Sequence, residues 1–308
     1  MKILLTGASG FVGRRVLAAT CFQSCRIVPA VRRPSGLDDE KVVGEIGPET
    51  DWRDALVGCD TVVHLAARVH VMRDSAPDSQ SKFHEVNALG TLNLARQAIQ
   101  SGVRRFVFIS SIKVNGEHSL PHKPFRADDE PAPADYYALS KLEAERGLIE
   151  LSRNHPFEVV IIRPPLLYGP GVKGNFSTMT SWLKRGIPLP LAAIHNRRSL
   201  LAVDNLVDFV SVCVDRSRSP AAANRVFLIS DNDDLSTPEL LRRVAKVFGV
   251  KARLFPVPFC ILRTAARALG RTTELVRLAG DLVVDSSAAS TLLGWRPVVS
   301  LEQQLEIR

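Results

Sequence analysis

Residues 2–13 read Lys-Ile-Leu-Leu-Thr-Gly-Ala-Ser-Gly-Phe-Val-Gly, and this stretch determines how the chain folds. Its apolar run, Ile3 to Leu5, predicts a strand, and a helical pattern over residues 11–19 follows at once. Glycines at three-residue spacing allow a tight turn and a close approach of the backbone to a pyrophosphate. The helix N-terminus offers free N–H groups to phosphate. Because strand, glycine turn and helix occur in this order, the pattern predicts a dinucleotide site with five contacts: Gly7, Ser9, Gly10, Phe11 and Val12.

Composition narrows the class of protein. The chain has 308 residues, of which 45% are hydrophobic, enough for a large core. No apolar run approaches ~18 residues, so we expect no membrane span, and no signal peptide is expected before the glycine turn. The formal charge of +8 suits anionic ligands such as nucleotides. It also suits a plain solvated basic surface, and no motif that reads RNA or DNA is present.

Five cysteines occur without any CxxC pair, at positions 21, 25, 59, 213 and 260. An odd count without paired spacing favours reduced thiols over a disulfide framework or a zinc site. We therefore expect a cytoplasmic protein. The seven histidines show no ligand spacing, so no metal is predicted.

The end of the second predicted strand bears on the choice of cofactor. An NAD site usually carries a carboxylate about 20 residues past the glycines, where it bonds the ribose hydroxyl. Here the strand ends Ala30-Val31-Arg32-Arg33, with no carboxylate in the turn. Because an arginine such as Arg32 can pair with a 2′-phosphate, the sequence favours NADP over NAD. The alternative is that both arginines are solvated loop charges.

Strands and helices alternate along the first half of the chain, which predicts an α/β fold with a doubly wound parallel sheet of the Rossmann type. We expect a dinucleotide-binding domain over residues 1–165, with a returning segment near 200–230. Residues 166–308 would form a smaller C-terminal substrate lobe.

A second group of polar residues follows the strand predicted over 105–110. Ser110 and Ser111 lie where an open α/β sheet places its ligands, at the carboxyl ends of the strands. Downstream, Asp135 is the expected N-cap of a helix on which Tyr137 and Lys141, four residues apart, share one face. A neighbouring ammonium would stabilise the phenolate and lower the tyrosine pKa from its usual value near ~10. Tyr137 is therefore the candidate acid/base, although an isolated pair of this spacing is more often a surface tyrosine beside a lysine.

Taken together, these motifs resemble those of the extended short-chain dehydrogenases, and among them the nucleotide-sugar enzymes similar to UDP-glucose 4-epimerase. The resemblance rests on the glycine turn after Thr6, on His64-Leu65-Ala66-Ala67, on Asn87 with Gly90-Thr91, on Ser110-Ser111, and on Tyr137-x-x-x-Lys141. It continues through Arg163-Pro164-Pro165, and through Leu293-Gly294-Trp295 near the C-terminus.

The resemblance implies roles for individual residues. Tyr137 would be the general acid/base at the sugar oxygen, Lys141 would hold the nicotinamide ribose, and Ser111 would bond the same sugar oxygen. Further cofactor contacts would come from a group that follows the strand ends or supports them: Leu65, Ala66, Ala67, Asn87 and Pro164. The substrate would meet Asn175 and Phe176, with Arg198 and Arg277 at its diphosphate.

Three positions depart from the family pattern near the sugar. Asn115 stands where many relatives carry tyrosine, Leu166 where many carry asparagine, and Ser199 where an aspartate is usual. These departures leave the substrate and the reaction open.

From these residues and the resemblance we form the hypothesis that the protein is an NADP-dependent reductase of a 4-keto nucleotide-diphosphate sugar. The alternatives are a UDP-hexose 4-epimerase that holds NAD tightly, a ketone reductase for non-sugar substrates, and a cofactor-binding protein without turnover. The oligomeric state is left open, a homodimer included.

A basic helix near the C-terminus stands apart from these motifs. Arg263, Arg267 and Arg271 recur every four residues beside apolar positions between 259 and 269. This pattern is typical of a membrane-surface helix, but more commonly of an amphipathic helix packed on its own domain.

Overall fold

The computed structural model describes residues 1–69, 79–172 and 174–307, without the side chains of Asn175 and Thr273. Within these residues the strands are β1 (Lys2–Thr6), β2 (Arg26–Val31), β3 (Lys41–Val42), β4 (Thr61–His64), β5 (Arg105–Ile109), β6 (Glu158–Arg163), β7 (Leu166–Tyr168), β8 (Leu200–Ala202) and β9 (Arg225–Leu228).

In the described residues, seven of these strands form one parallel sheet in the order β3-β2-β1-β4-β5-β6-β9. The chain leaves β1 toward β2 and β3, then crosses back to β4 on the other side of β1. This reversal opens a crevice at the carboxyl ends of β1 and β4, where doubly wound sheets bind ligands. The predicted doubly wound α/β fold is confirmed.

The helices are α1 (Phe11–Ala18), α2 (Arg53–Leu56), α3 (Ser79–Phe83), α4 (Gly90–Gln100), α5 (Tyr136–Asn154), α6 (Asn175–Lys184), α7 (Val203–Val214), α8 (Thr237–Val247), α9 (Phe259–Ala268), α10 (Thr272–Ala279), α11 (Ser287–Leu293) and α12 (Leu301–Glu306). A π-helical turn, His84–Leu89, joins α3 to α4.

Both faces of the large sheet are covered by helices. One face packs against α1, α7 and α11 through a cluster that includes Val16, Phe209 and Trp295. The other face packs against α2, α4 and α5 through a cluster that includes Leu94 and Leu148. Strands β4 and β5 are completely buried, as expected for a parallel sheet covered on both sides.

A separate core forms in the C-terminal half. It is built on the short pair β7–β8 and on helices α6, α8 and α12, with Tyr168, Leu241 and Leu301 buried in it. Helix α8 starts at Thr237-Pro238-Glu239, where Ser236 and Glu239 form a capping box. Helix α7 and strand β9 meanwhile pack on the large sheet.

Strand β2 contains Pro29, which has no N–H group to donate to a neighbouring strand. Pro29 pairs with Leu5 of β1, but β3 pairs only with Ala30 and Val31. Since the ladder with β3 begins after Pro29, no strand among the described residues pairs with the proline on that side.

Candidate active site

The glycine turn between β1 and α1 has no room for side chains. Gly7 lies at φ +69°, and a Cβ there would come within 2.8 Å of the Ala66 nitrogen. A Cβ on Gly13 would come within 2.2 Å of the Gly7 carbonyl oxygen, to which Gly10 donates a hydrogen bond of 2.9 Å. The turn therefore brings backbone against the end of β4, as a phosphate cradle requires.

The start of α1 presents backbone N–H groups. Gly10 is the N-cap and no side chain caps the helix. Ser9 is exposed, while Phe11 and Val12 are half-buried at the first helical positions. Free backbone N–H groups at a helix N-terminus can bind an anion such as a pyrophosphate.

Arg32 follows the end of β2, as predicted, but a carboxylate lies beside it. Its Nη1 is 3.2 Å from Oε2 of Glu45, and both side chains are largely exposed. The strand end itself has no carboxylate, as the sequence shows, but the short pair of β2 with β3 brings residue 45 back to residue 32. The arginine is thus already paired where the sequence argument gives it to a 2′-phosphate.

The end of β4 is held by a buried histidine. His64 bonds to the Thr6 hydroxyl at 2.7 Å through Nδ1 and to the Thr91 hydroxyl at 3.0 Å through Nε2. Burial, with a smaller effect of the Lys141 charge, lowers its pKa to about 3, so it stays neutral. The residues that follow, Leu65, Ala66 and Ala67, are half-buried at the carboxyl edge of the sheet.

Asn87 ties three segments together from inside the π-helical turn. Its Oδ1 accepts from the Arg68 nitrogen at 2.8 Å, and its Nδ2 donates to the Arg68 carbonyl at 3.0 Å. The same Nδ2 donates to the Ser140 hydroxyl on α5 at 3.0 Å. The hydrogen bonds to Arg68 hold the segment after β4 in place. Because Asn87 is only 1% exposed, little of its surface is available to a ligand. π-helical turns often occur at functional sites.

The predicted trio lies at the carboxyl end of β5. Asp135 caps α5 by accepting from the Ala138 nitrogen at 2.8 Å, which places Tyr137 in the first turn. The Ser111 side chain faces the Tyr137 hydroxyl and acts to lower its pKa. Lys141 lies one turn further on and is completely buried; its Nζ donates to the Ile109 carbonyl at 2.8 Å. The structure thus brings Ser111, Tyr137 and Lys141 to one edge of the sheet.

The charges of this trio differ from the sequence expectation. Burial, and next the Asp135 carboxylate, raise the pKa of Tyr137 to about 12, although the Ser111 hydrogen bond opposes the rise. The predicted lowering is therefore not found, since burial dominates and the Lys141 ammonium is turned toward Ile109 and the Phe108 ring. Burial also lowers the pKa of Lys141 to about 7, against the opposing charge of Glu145.

One further polar atom fits a ligand at this edge. The Ser110 hydroxyl is buried and has no hydrogen-bond partner within the described residues. Pro164 lies nearby, because its carbonyl accepts from the Ile112 nitrogen at 3.0 Å. Together with the cradle at Gly7 and Gly13, these features fit a dinucleotide cofactor.

The two arginines predicted to bind the diphosphate are in contact in the second lobe, but through the side chain of one and the backbone of the other. Nη1 of Arg198 donates to the carbonyl oxygens of Arg277 at 2.7 Å and of Gly280 at 2.9 Å. Burial lowers the pKa of Arg198, and the charges of Glu117 and Asp281 oppose this. The Arg277 side chain itself pairs with Glu117 at 3.2 Å.

The other two substrate predictions fall at the start of α6. Phe176 is 3% exposed and stacks on Tyr168 in the core of the second lobe, with ring centroids 5.6 Å apart. Its side chain therefore builds the lobe and leaves only its backbone for contact. Asn175 begins the helix, but its side chain lies outside the described part of the chain.

A family model for the "NAD dependent epimerase/dehydratase family" matches residues 3–229. The chain belongs to this family. It is an NAD(P)-dependent enzyme of the epimerase and reductase type, and the resemblance seen in the motifs is confirmed.

Two curated relatives cover most of the chain. A "UDP-glucose 4-epimerase" of Vibrio cholerae is 45% identical over 98% of this chain and 92% of its own length. An "N-acetyl-alpha-D-glucosaminyl-diphospho-ditrans,octacis-undecaprenol 4-epimerase" of Escherichia coli O157:H7 is 30% identical over 84% of this chain and 76% of its own length. Among solved structures, "UDP-Glucuronic acid 4-epimerase from Bacillus cereus in complex with NAD" matches with a TM-score of 0.77, at 22% identity, over 99% of this chain and 96% of that one.

The departures from the family pattern have structural explanations at two positions. Asn115 is buried and accepts from Arg163 at 2.9 Å, and Arg163 also pairs with the buried Glu145 at 2.5 Å. Ser199 donates to Asp234 at 2.6 Å and accepts from the Val284 nitrogen at 3.1 Å. Leu166 is 39% exposed on β7, and nothing in its surroundings explains the substitution.

Sequence reasoning missed a line of alternating charges beside the trio. Lys113 lies 2.5 Å from the N-cap carboxylate Asp135 and 3.0 Å from Glu117, which in turn pairs with Arg277. We call Asp135, Lys113, Glu117 and Arg277 the bridging chain. Its i,i+4 pair, Lys113 and Glu117, is visible in the sequence, but the link to Asp135 spans 22 residues and leaves no local signal.

The described residues contain no group of side chains that could hold a metal ion. All five cysteines are free. None of the helices in the described residues is long and apolar enough to cross a membrane.

Proposed function

We propose that this enzyme is a UDP-hexose 4-epimerase that retains NAD. The observation that carries the proposal is the grouping of Tyr137, Ser111 and the buried Lys141, which donates to the Ile109 carbonyl, at the edge of the sheet where the glycine turn also lies. The relative from Vibrio cholerae, 45% identical over nearly the whole chain, supports the epimerase over the reductase.

Each residue of the trio has a distinct task in this proposal. A bound nicotinamide supplies hydride acceptance and return at the sugar C4. Tyr137 takes the proton of the C4 hydroxyl and later gives it back, and Ser111 orients that oxygen by hydrogen bonding. Lys141 would hold the nicotinamide ribose in this proposal, and its ammonium, which here donates to the Ile109 carbonyl, would have to turn toward Tyr137 to favour the phenolate form.

We further propose that residues 1–165, with a return near 200–230, hold the dinucleotide and that residues 166–308 hold the sugar nucleotide. The Arg198 guanidinium donates to the backbone carbonyl of Arg277 in the second lobe, and in this proposal the two guanidinium groups would turn to the same diphosphate. In this proposal a phosphate group of the substrate would replace Glu117 as the ion-pair partner of Arg277. Asn175 and the backbone at Phe176 would line the sugar end.

Glu45 supports NAD as the cofactor. NAD sites place an acidic group near the end of the second strand, and here the carboxylate of Glu45, a residue that follows β3, pairs with Arg32 just past β2. A 2′-phosphate at this point would have to displace a carboxylate.

The deciding experiment supplies UDP-glucose to the purified protein without added cofactor and follows UDP-galactose by chromatography. We expect conversion of UDP-glucose to UDP-galactose and, in a second reaction that starts from UDP-galactose, the reverse conversion. Neither reaction should change the nicotinamide absorbance. If the protein turns over only when NADPH and a 4-keto sugar nucleotide are added, it is the reductase instead.

The NADP-dependent reduction of a 4-keto sugar nucleotide remains the second candidate. One observation favours it, since Arg32 and Arg33 follow β2 directly and both are exposed. Exchange of Glu45 for glutamine would free Arg32, so a reductase should then gain affinity for NADPH.

A further inference from the structure

The bridging chain places a carboxylate at one of the arginines assigned to the substrate diphosphate. Glu117 lies between two cations and divides its carboxylate between them. Its Oε1 is 3.0 Å from Nζ of Lys113, and its Oε2 is 3.2 Å from Nε of Arg277. Burial would raise the pKa of Glu117, but the hydrogen bond and charge of Lys113, followed by the charge of Arg277, bring that pKa below its ordinary value. Glu117 is therefore an anion at neutral pH.

The contacts of Glu117 leave it able to move away from Arg277. Within the described residues, its carboxylate pairs only with the side chains of Lys113 and Arg277, and the second contact of Arg277, from Nη2, is 3.4 Å long. Asp281 is the other carboxylate whose charge acts on Arg198, and it accepts from the backbone nitrogen of Arg197 at 2.7 Å. A backbone contact fixes Asp281 in place, whereas Glu117 can rotate about its side-chain bonds.

We propose that Glu117 regulates the diphosphate site as an internal counter-ion, which competes with the sugar nucleotide for Arg277 and returns to it when the product leaves. This role rests on the proposed binding of a diphosphate at Arg277. An arginine binds a phosphate group through two parallel N–H to oxygen bonds, which are stronger than its long contacts to Glu117. The competition lowers the affinity for the sugar nucleotide and speeds its release. Glu117 is thus a positioning residue, since it acts on the substrate through Arg277.

Lys113 keeps the displaced carboxylate paired. Removing one partner of a buried ion pair is strongly destabilising, because the other charge is left without compensation. Glu117 retains Lys113 at its Oε1 when Arg277 turns to the ligand, so no isolated charge results. Water also reaches both groups during the exchange, since the side chain of Glu117 is 22% exposed and that of Arg277 is 33% exposed. The exchange can therefore run in both directions, as an enzyme requires when its product carries the same diphosphate as its substrate.

Calorimetry with UDP on the full chain tests the role of Glu117. Glu117→Gln keeps the size of the side chain and removes the competing charge, so UDP should bind about fivefold more tightly than to the parent, the factor that an accessible ion pair contributes. In turnover, KM for the sugar nucleotide should fall by a similar factor while kcat does not rise, because the product leaves more slowly. A purely structural role would give weaker binding of UDP and a lower melting temperature.

Two further variants separate the ion pair from net charge. Glu150→Gln removes a carboxylate that is exposed on α5, and this variant should bind UDP like the parent. Arg277→Gln should weaken UDP binding, and the addition of Glu117→Gln to it should bring little further change, since the carboxylate then has no arginine to release. An equal gain of affinity in Glu150→Gln, or the full fivefold gain in the Arg277→Gln background, would overturn the proposal.

Inorganic pyrophosphate, as a second probe, distinguishes this role from the proposed activity. If the parent binds UDP and Glu117→Gln binds it no more tightly, the counter-ion role is wrong and the epimerase proposal stands. If the parent binds pyrophosphate but not UDP, and Glu117→Gln binds pyrophosphate about fivefold more tightly, the counter-ion role stands and the UDP-hexose substrate is wrong. Pyrophosphate binding without this gain, or binding of neither probe, would overturn both.

Discussion

At the scale of single residues, Tyr137 carries the proposed chemistry. Positioned proton transfer contributes about 10²–10⁴-fold to a rate. Tyr137→Phe should therefore lower turnover by about that range while NAD affinity, measured by equilibrium binding, stays unchanged. The matched control is Tyr136→Phe at the exposed neighbouring position, which should keep turnover. Retention of parental turnover in Tyr137→Phe would remove the assignment.

We expect Lys113, which lies outside the trio, to influence the same tyrosine through Asp135. The Asp135 carboxylate raises the pKa of Tyr137, and the Lys113 ammonium, 2.5 Å from that carboxylate, offsets its charge. Lys113→Met should therefore raise the pKa of Tyr137 further. Because a base must first lose its proton, the rising limb of the pH profile of turnover should move to higher pH.

The control for Lys113 is Lys113→Arg, which keeps the charge and should restore the parental profile. A purely structural role would change the melting temperature of Lys113→Met without moving its pH profile. An unmoved profile would thus contradict the link between Lys113 and Tyr137.

At the scale of elements, the strand-turn-helix unit at residues 2–18 was predictable because its signal is local. The glycines, the apolar run and the start of α1 all lie within one short stretch, and the turn needs the missing side chains at Gly7 and Gly13. The helix that carries Tyr137 and Lys141 was predictable for the same reason, with Asp135 as its N-cap.

Other features depend on contacts between residues far apart in the chain, which leave no local pattern in the sequence. Glu45 meets Arg32 only because β3 returns beside β2, and Lys113 meets Asp135 only when the loop between them closes. The raised pKa of Tyr137 follows from burial, which periodicity does not quantify. The same holds for Phe176, which reads as a ligand contact in the motif and packs in the core of its lobe.

The glycine turn gives a prediction at this scale. Gly13→Ala places a methyl group 2.2 Å from the Gly7 carbonyl oxygen, which must shift the turn away from α1. Overpacking of this kind typically costs 1–3 kcal/mol. We expect a lower melting temperature and at least tenfold weaker NAD binding, measured by thermal unfolding and calorimetry.

Gly47→Ala is the control for that substitution. A Cβ at Gly47 would lie 3.7 Å from its nearest neighbour, an ordinary contact, and the residue has no positive φ. Stability and NAD binding close to the parent are expected there. If Gly13→Ala behaves like Gly47→Ala, the turn is not the cofactor cradle.

At the scale of the whole molecule, ion pairs link the proposed cofactor lobe to the proposed substrate lobe, in addition to the connecting polypeptide. Arg15 on α1 pairs with Asp204 on α7 at 2.5 Å, which fastens the return of the chain to the large sheet. The bridging chain runs from the cap of α5 to Arg277 on α10. Consecutive ion pairs therefore connect Arg277, in the proposed diphosphate site, to Asp135, which lies two residues before Tyr137.

The last prediction concerns the stability of the entire fold with its cofactor. A ligand that binds only the native state stabilises it by about 2.7 kcal/mol at a hundred times its dissociation constant. An epimerase that retains NAD should melt at a higher temperature with NAD than with NADP at equal concentration, because the Glu45 carboxylate opposes a 2′-phosphate beside Arg32. Glu45→Gln keeps the size of the side chain and removes its charge, so the difference between the two cofactors should shrink. A larger increase with NADP in the parent would favour the reductase, and Arg32→Ala should then abolish that increase.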